Sequence, residues 1–210
     1  MKLESPLRLA SRSPRRRMML ESAGFHVRVQ QPDFDDGALR PGRVSPREWV
    51  TSLAILKAWR VADMVRGVGG RFANWVEPWN SEGFTGTVLG ADTMCVQGCE
   101  ALGQPRDEQH ARRMLRTLSD AEHETITGVC LISLCDGRRI AFCDSATVRV
   151  GHLSDEMIEQ YVASGQGRGK AGAYNLSERI QAGWPIQCIG DPATVMGLPM
   201  NKLRQFTIAD

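Results

Sequence analysis

The stretch Leu7-Arg8-Leu9-Ala10-Ser11-Arg12-Ser13-Pro14-Arg15-Arg16-Arg17-Met18-Met19-Leu20-Glu21 passes from a short apolar run, through a hydroxyl-bearing turn, into a helix. Ser13 suits the capping position of that helix, Pro14 suits its first residue, and Gly24 closes it. Phe25-His26-Val27-Arg28-Val29 then reads as a second strand. Strand, helix and strand in immediate succession set the pattern of an α/β sheet.

Further along, Gln31-Pro32-Asp33-Phe34-Asp35-Asp36-Gly37 forms an acidic turn. Residues 48–64 predict a helix, because Val50, Leu53, Ala54 and Val61 share one face, and Lys57 falls on that same face. Thr87-Val88-Leu89-Gly90-Ala91-Asp92 predicts a buried strand with Asp92 at its carboxyl end. An amphipathic helix is expected over 105–118, through Ala111, Met114, Leu115 and Leu118. Residues 126–134 and 140–150 predict two strands joined by the hairpin signal Asp136-Gly137. Ser154 caps a helix carrying Ile158, Tyr161 and Val162, Gly165 ends it, and a last short helix is expected within 198–206. The glycine-rich residues 67–86, with Trp75 and Trp79, predict an irregular insertion packed on the body. The expected fold is α/β: a mixed, twisted central sheet with flanking helices in a single domain over residues 1–210.

Composition narrows the class of function. Over 210 residues, 26 Lys and Arg against 24 Asp and Glu leave a net charge of +2, and 42% of residues are apolar. So balanced a charge argues against a dedicated nucleic-acid binder and for a small ligand. Cys95, Cys99, Cys130, Cys135, Cys143 and Cys188 show no paired spacing and read as reduced thiols of a cytoplasmic protein. His26, His110, His123 and His152 have no zinc-like spacing. No apolar run approaches the ~20 residues of a membrane span, and the first ten residues lack the apolar core of a signal peptide.

Several residues carry chemical interest. Three arginines at the start of a helix conflict with its partial positive charge unless an anion binds there. Ser11, Ser13, Arg15 and Arg16 therefore read either as a phosphate cradle or as a solvated basic turn. Lys57 on an apolar stripe either pairs with an acid or extends its ammonium to water. Asp92, closing a strand, stands where open α/β sheets bind ligands, or else caps a loop. The turn acids Asp33, Asp35 and Asp36 offer oxygen ligands suited to Mg²⁺, or form a solvated turn. Lys170-Ala171-Gly172-Ala173-Tyr174 follows a glycine-rich stretch whose backbone can approach a ligand, and it equally suits a surface loop.

Taken together and in order, these segments resemble the Maf family, the septum-formation-inhibitor-like nucleoside triphosphate pyrophosphatases. The strings that carry the resemblance include Leu9-Ala10-Ser11-Arg12-Ser13-Pro14-Arg15-Arg16-Arg17, Pro32-Asp33-Phe34-Asp35-Asp36, Leu53-Ala54 with Lys57-Ala58, and Leu89-Gly90-Ala91-Asp92-Thr93. Leu102-Gly103 with Pro105, Thr127-Gly128-Val129 and Lys170-Ala171-Gly172-Ala173-Tyr174 extend it over nearly the whole chain apart from 67–86. The resemblance implies two lobes around a nucleotide cleft, an architecture related to the inosine-triphosphate pyrophosphatases. It also implies phosphate binding by Ser11, Arg15, Arg16 and Lys57, with Gln104 and Lys170 as further substrate contacts. Asp92 maps onto the proton acceptor, and Asp36 with Asp92 would hold a Mg²⁺ or Mn²⁺ ion.

Four positions depart from the family pattern: Gln104 replaces a lysine, Gly169 an aspartate, Ser177 a glutamine or glutamate, and Asp36 is one methylene shorter than the usual glutamate. Gln104 offers only a neutral hydrogen bond where a cation is usual, while Lys170 or Arg168 compensates and Glu178 stands near the missing acid. The expected activity is hydrolysis of a non-standard or pyrimidine nucleoside triphosphate to monophosphate and pyrophosphate. The alternative is a nucleotide-binding regulatory protein with weak or lost hydrolysis. A homodimer is a further expectation; a membrane or nucleic-acid partner is not.

Overall fold

The computed structural model describes residues 3, 5–66, 85–98 and 100–206. The expected packing of Trp75 and Trp79, and Cys99, fall outside the described residues. The chain runs β1 (Leu7–Ala10), α1 (Pro14–Ser22), β2 (Val27–Val29), a 3-10 turn (Asp36–Ala38), α2 (Pro46–Arg66), β3 (Thr87–Gln97) and β4 (Glu100–Leu102). It continues through α3 (Glu108–Leu118), β5 (Ala121–Ser133), β6 (Arg139–Val150), α4 (Asp155–Ala163) and a second 3-10 turn (Ala171–Ala173). The last elements are α5 (Leu176–Gln181), β7 (Ile186–Ile189), α6 (Pro192–Val195) and α7 (Met200–Arg204).

Among the described residues one seven-stranded sheet has the order β2-β1-β3-β5-β6-β7, with β4 on β3. β1 pairs in parallel with β2 and with β3, placing Ala10 opposite Gly90. β4 on β3 and β7 on β6 are antiparallel, so the sheet is mixed as expected. The expected strand that stops at Asp92 is corrected: β3 runs on to Gln97, and Asp92 lies mid-strand. β5 likewise begins at Ala121, upstream of its most apolar residues. The turn around Asp136-Gly137 is found, with the Gly137 N–H on the Ser133 carbonyl and the Ser133 N–H on that of Arg138. The short α5, β7 and α6 were not expected, because glycine-rich composition hides elements this brief.

Local signals explain the helices that carry the site. Ser13 accepts from the Arg16 N–H and Pro14 opens α1, as the sequence indicated. α2 starts with a capping box: Glu48 accepts from the Ser45 N–H at 2.8 Å, and Ser45 Oγ accepts from the Glu48 N–H at 3.3 Å. Asp107 caps α3 and Ser154 caps α4. No helix among the described residues is long and apolar enough to cross a membrane.

Two compact units divide the chain, each with its own core. The first comprises Met1–Asp92, Gly128–Cys143 and Met200–Asp210, and buries Ala10, Ala54, Ala58, Val61, Val88, Cys130, Ile132 and Leu134 together. Here α2 lies directly on the sheet backbone. A Cβ on Gly90 would stand 2.3 Å from the Ala54 carbonyl oxygen, and one on Gly128 2.5 Å from that of Val50. The second unit comprises Thr93–Thr127 and Asp144–Pro199; its core joins α3 and α4 through Met114, Leu115, Leu118, Ile158 and Tyr161.

Candidate active site

The first unit brings together five of the expected site residues from four elements. Lys57, midway along α2, is buried, and its Nζ lies 2.5 Å from Asp36 Oδ2 and 2.5 Å from Asp92 Oδ1. The apolar stripe that carries Lys57 points it at the sheet, and the two carboxylates replace the water it loses. Burial alone would push the Asp36 carboxyl up, but the Lys57 hydrogen bond and charge outweigh it and hold that carboxyl below the ordinary aspartate value.

Arg16 is the second buried cation. Its Nη1 donates to Ser11 Oγ at 3.0 Å and to the Ala91 carbonyl at 2.8 Å, tying the first turn of α1 to β3 one residue before Asp92. Burial lowers the Arg16 pKa, and the charges of Asp92 and Asp36 counter that shift. Ser11 Oγ also accepts from the Ser13 N–H at 3.1 Å. With both lone pairs engaged, the Ser11 hydroxyl has its proton left to donate, the polarity needed for a phosphate oxygen. Arg15 is half-buried on α1 and Arg12 is exposed before it.

The acidic turn divides its labour. Only Asp36 engages Lys57. Asp35 shapes the turn by accepting from the Gly37 N–H at 2.9 Å. Asp33 takes both prongs of the Arg60 guanidinium, the Nη2–Oδ2 contact being 2.6 Å, and Arg60 Nη1 also reaches Asp63 at 2.7 Å. Sequence reading passed over Arg60 and Asp63. The available signal was spacing, since Lys57 and Arg60 are three apart on one helix, as are Asp33 and Asp36 on the turn.

Gln104 and Lys170 belong to the second unit and are described with it. Their loops meet: the Gly172 N–H donates to the Gly103 carbonyl at 3.1 Å. Gln104 is exposed. Lys170 Nζ is 3.1 Å from Glu178 Oε2, and Asn175 also donates to Glu178, so the acid beside Ser177 is already held by the loop's lysine. Tyr174 is anchored by buried His123 on β5, with Tyr174 Oη and His123 Nε2 2.8 Å apart. Burial pushes His123 down to about 4, so it is neutral near pH 7. Beside the loop, burial pushes the Cys95 thiol up to about 12.

A hydroxyl chain crosses the second unit where β3 and β5 enter it. Thr127 Oγ1 donates to the Thr194 carbonyl at 2.7 Å, so Thr93 must supply the proton in its 2.9 Å contact with Thr127. Thr194 Oγ1 in turn donates to Asp144 Oδ2 at 2.9 Å.

Asp36 and Asp92 are hard oxygen donors of the kind Mg²⁺ and Mn²⁺ accept, but the point between them is taken by the Lys57 ammonium, so a cation would use their oxygens outside those two contacts. Among the described residues no cluster of three or more His, Cys, Asp or Glu side chains is present. Two carboxylates would suit a divalent ion that takes the rest of its shell from water and substrate oxygens.

Comparison with known proteins finds relatives over nearly the whole chain. A dTTP/UTP pyrophosphatase from Salinibacter ruber is 36% identical over 205 residues, covering 97% of this chain and 90% of that protein. One from Anaeromyxobacter dehalogenans is 37% identical over 197 residues, covering 92% and 88%. A solved nucleoside-triphosphatase (dITP/XTP pyrophosphatase) from Mycobacterium abscessus aligns with 13% identity and a TM-score of 0.37, over 70% of this chain and 74% of that one. The family model described as Maf-like protein matches residues 6–208, and the chain belongs to that family.

Proposed function

We propose that this protein hydrolyses a nucleoside triphosphate to the monophosphate and pyrophosphate, with pyrimidine nucleotides as its substrate class. The observation that carries the reading is the Lys57 ammonium held between Asp36 and Asp92, with Arg16 fixed beside them. The pyrimidine class is supported by relatives at 36–37% identity that are named dTTP/UTP pyrophosphatases.

In this reaction water adds to phosphorus, the bond from that phosphorus to the bridging oxygen breaks, and pyrophosphate leaves. Asp92 orients the water and takes its proton. Lys57 and Arg16 stabilise negative charge on the phosphate oxygens as it develops, and Ser11 donates its remaining proton to one of them. The half-buried Arg15 adds charge at the start of α1. A divalent cation held by Asp92 and Asp36 would supply further positive charge across the phosphate oxygens.

The test is pyrophosphate release from a panel of pyrimidine, purine and modified nucleoside triphosphates with Mg²⁺ or Mn²⁺. Metal-dependent release, fastest with pyrimidines and reduced at least ~100-fold in Asp92→Asn, is the expected result. Nucleotide binding without release from any substrate would instead establish a binding protein. Asp92→Asn at full activity would remove Asp92 from the assigned role.

A further inference from the structure

We infer that Asp33 and Arg60 form a positioning clamp that holds the acidic turn against α2, so that the short carboxylate of Asp36 reaches the Lys57 ammonium. The inference deepens the reading of the same site given above, and its kinetic consequence rests on that reading.

Four charged groups form two parallel contacts. Lys57 and Arg60 are one helical turn apart on α2, and their partners Asp36 and Asp33 have the same separation on the turn. Arg60 grips Asp33 with Nε and Nη2 together, a planar two-point contact that fixes orientation as well as distance. The guanidinium is itself held from within α2, because Nη1 lies 2.7 Å from the Asp63 carboxylate, whose side chain is 9% exposed. One end of the clamp is therefore part of the helix that carries Lys57. Asp33 and Asp36 are half-exposed, at 49% and 41%, so burial alone does not fix the turn. Asp35 and Arg40 act within the turn: the first accepts from the Gly37 N–H, and the second donates to the carbonyls of Gly37 and Leu39. They shape it without tying it to α2.

A half-exposed ion pair contributes little to global stability. The clamp therefore predicts a local change in position with little change in melting temperature. The test is backbone 15N relaxation over residues 33–38 of the full chain without nucleotide or metal, comparing wild type with Asp33→Ala and Arg60→Gln. Lys57, Asp36 and Asp92 are unchanged in both variants.

If the clamp positions the turn, the order parameters of residues 33–38 fall in Asp33→Ala and in Arg60→Gln, and the double variant is no worse than either single one. The same variants should lower kcat/KM on the order of 10-fold, because small misplacements of charged groups carry large kinetic effects. Order parameters over residues 33–38 that stay unchanged in Asp33→Ala overturn the clamp. Wild-type protein without pyrophosphate release would overturn the assigned reaction and leave the relaxation measurement readable.

Discussion

Lys57 shows how far a single side chain could be read in advance. Its place on an apolar stripe followed from spacing, but its double pairing did not, because Asp36 and Asp92 are remote in sequence and a stripe does not say what lies opposite it. Lys57→Met is expected to lower kcat by ~100-fold or more, measured by pyrophosphate release, since it removes charge that acts on the transition state. His123 permits a separate prediction. Its pKa is about 4 in the folded protein against 6.5 for the free side chain, so the unfolded chain binds the extra proton between those values. Stability from this residue is complete above pH 6.5 and is lost as pH falls toward 4, by on the order of 3 kcal/mol. Thermal melts from pH 7 to 4 should show that slope, and His123→Asn should flatten it.

At the level of elements, α1, α2, α3 and α4 were legible because capping residues and three-four periodicity are local signals. β3 was misread at its end: Asp92 looks like a terminator, yet the strand continues through Thr93 into residues paired with β4. A polar residue inside a strand is tolerated where it has a partner, and that partner is visible only in three dimensions. The fit of α2 to the sheet depends on two missing side chains. Gly90→Ala would drive a methyl into the Ala54 carbonyl of α2, and denaturant unfolding should register a loss of about 3 kcal/mol, with pyrophosphate release lowered as Lys57 shifts from Asp92. Thr127→Val should cost about 1 kcal/mol, because it removes the hydrogen bonds to Thr93 and to the Thr194 carbonyl, which keeps its bond from the Gly197 N–H.

For the molecule as a whole, composition and the alternation of strands and helices were enough to reach a mixed α/β sheet, whereas the division into units was not legible as separate stretches of chain. Each unit is assembled from segments far apart in sequence, so no single boundary could be drawn along it. The core around α2 takes Cys130, Ile132 and Leu134 from the later segment Gly128–Cys143. A fragment of residues 1–92 contains Lys57, Asp36 and Asp92 but lacks those side chains. It should show neither a cooperative melt nor dispersed amide resonances, and a folded fragment would contradict this account of the core.

The cluster of Arg16, Lys57, Asp36 and Asp92 carries two positive and two negative charges, so its formal charge is zero. An approaching polyphosphate thus meets no net attraction from these four groups. Long-range capture falls to the outlying Arg12 and Arg15, and to the charge of any cation the nucleotide brings with it. Association should therefore slow with rising ionic strength through those two arginines, while the rate of the bound complex responds little to salt.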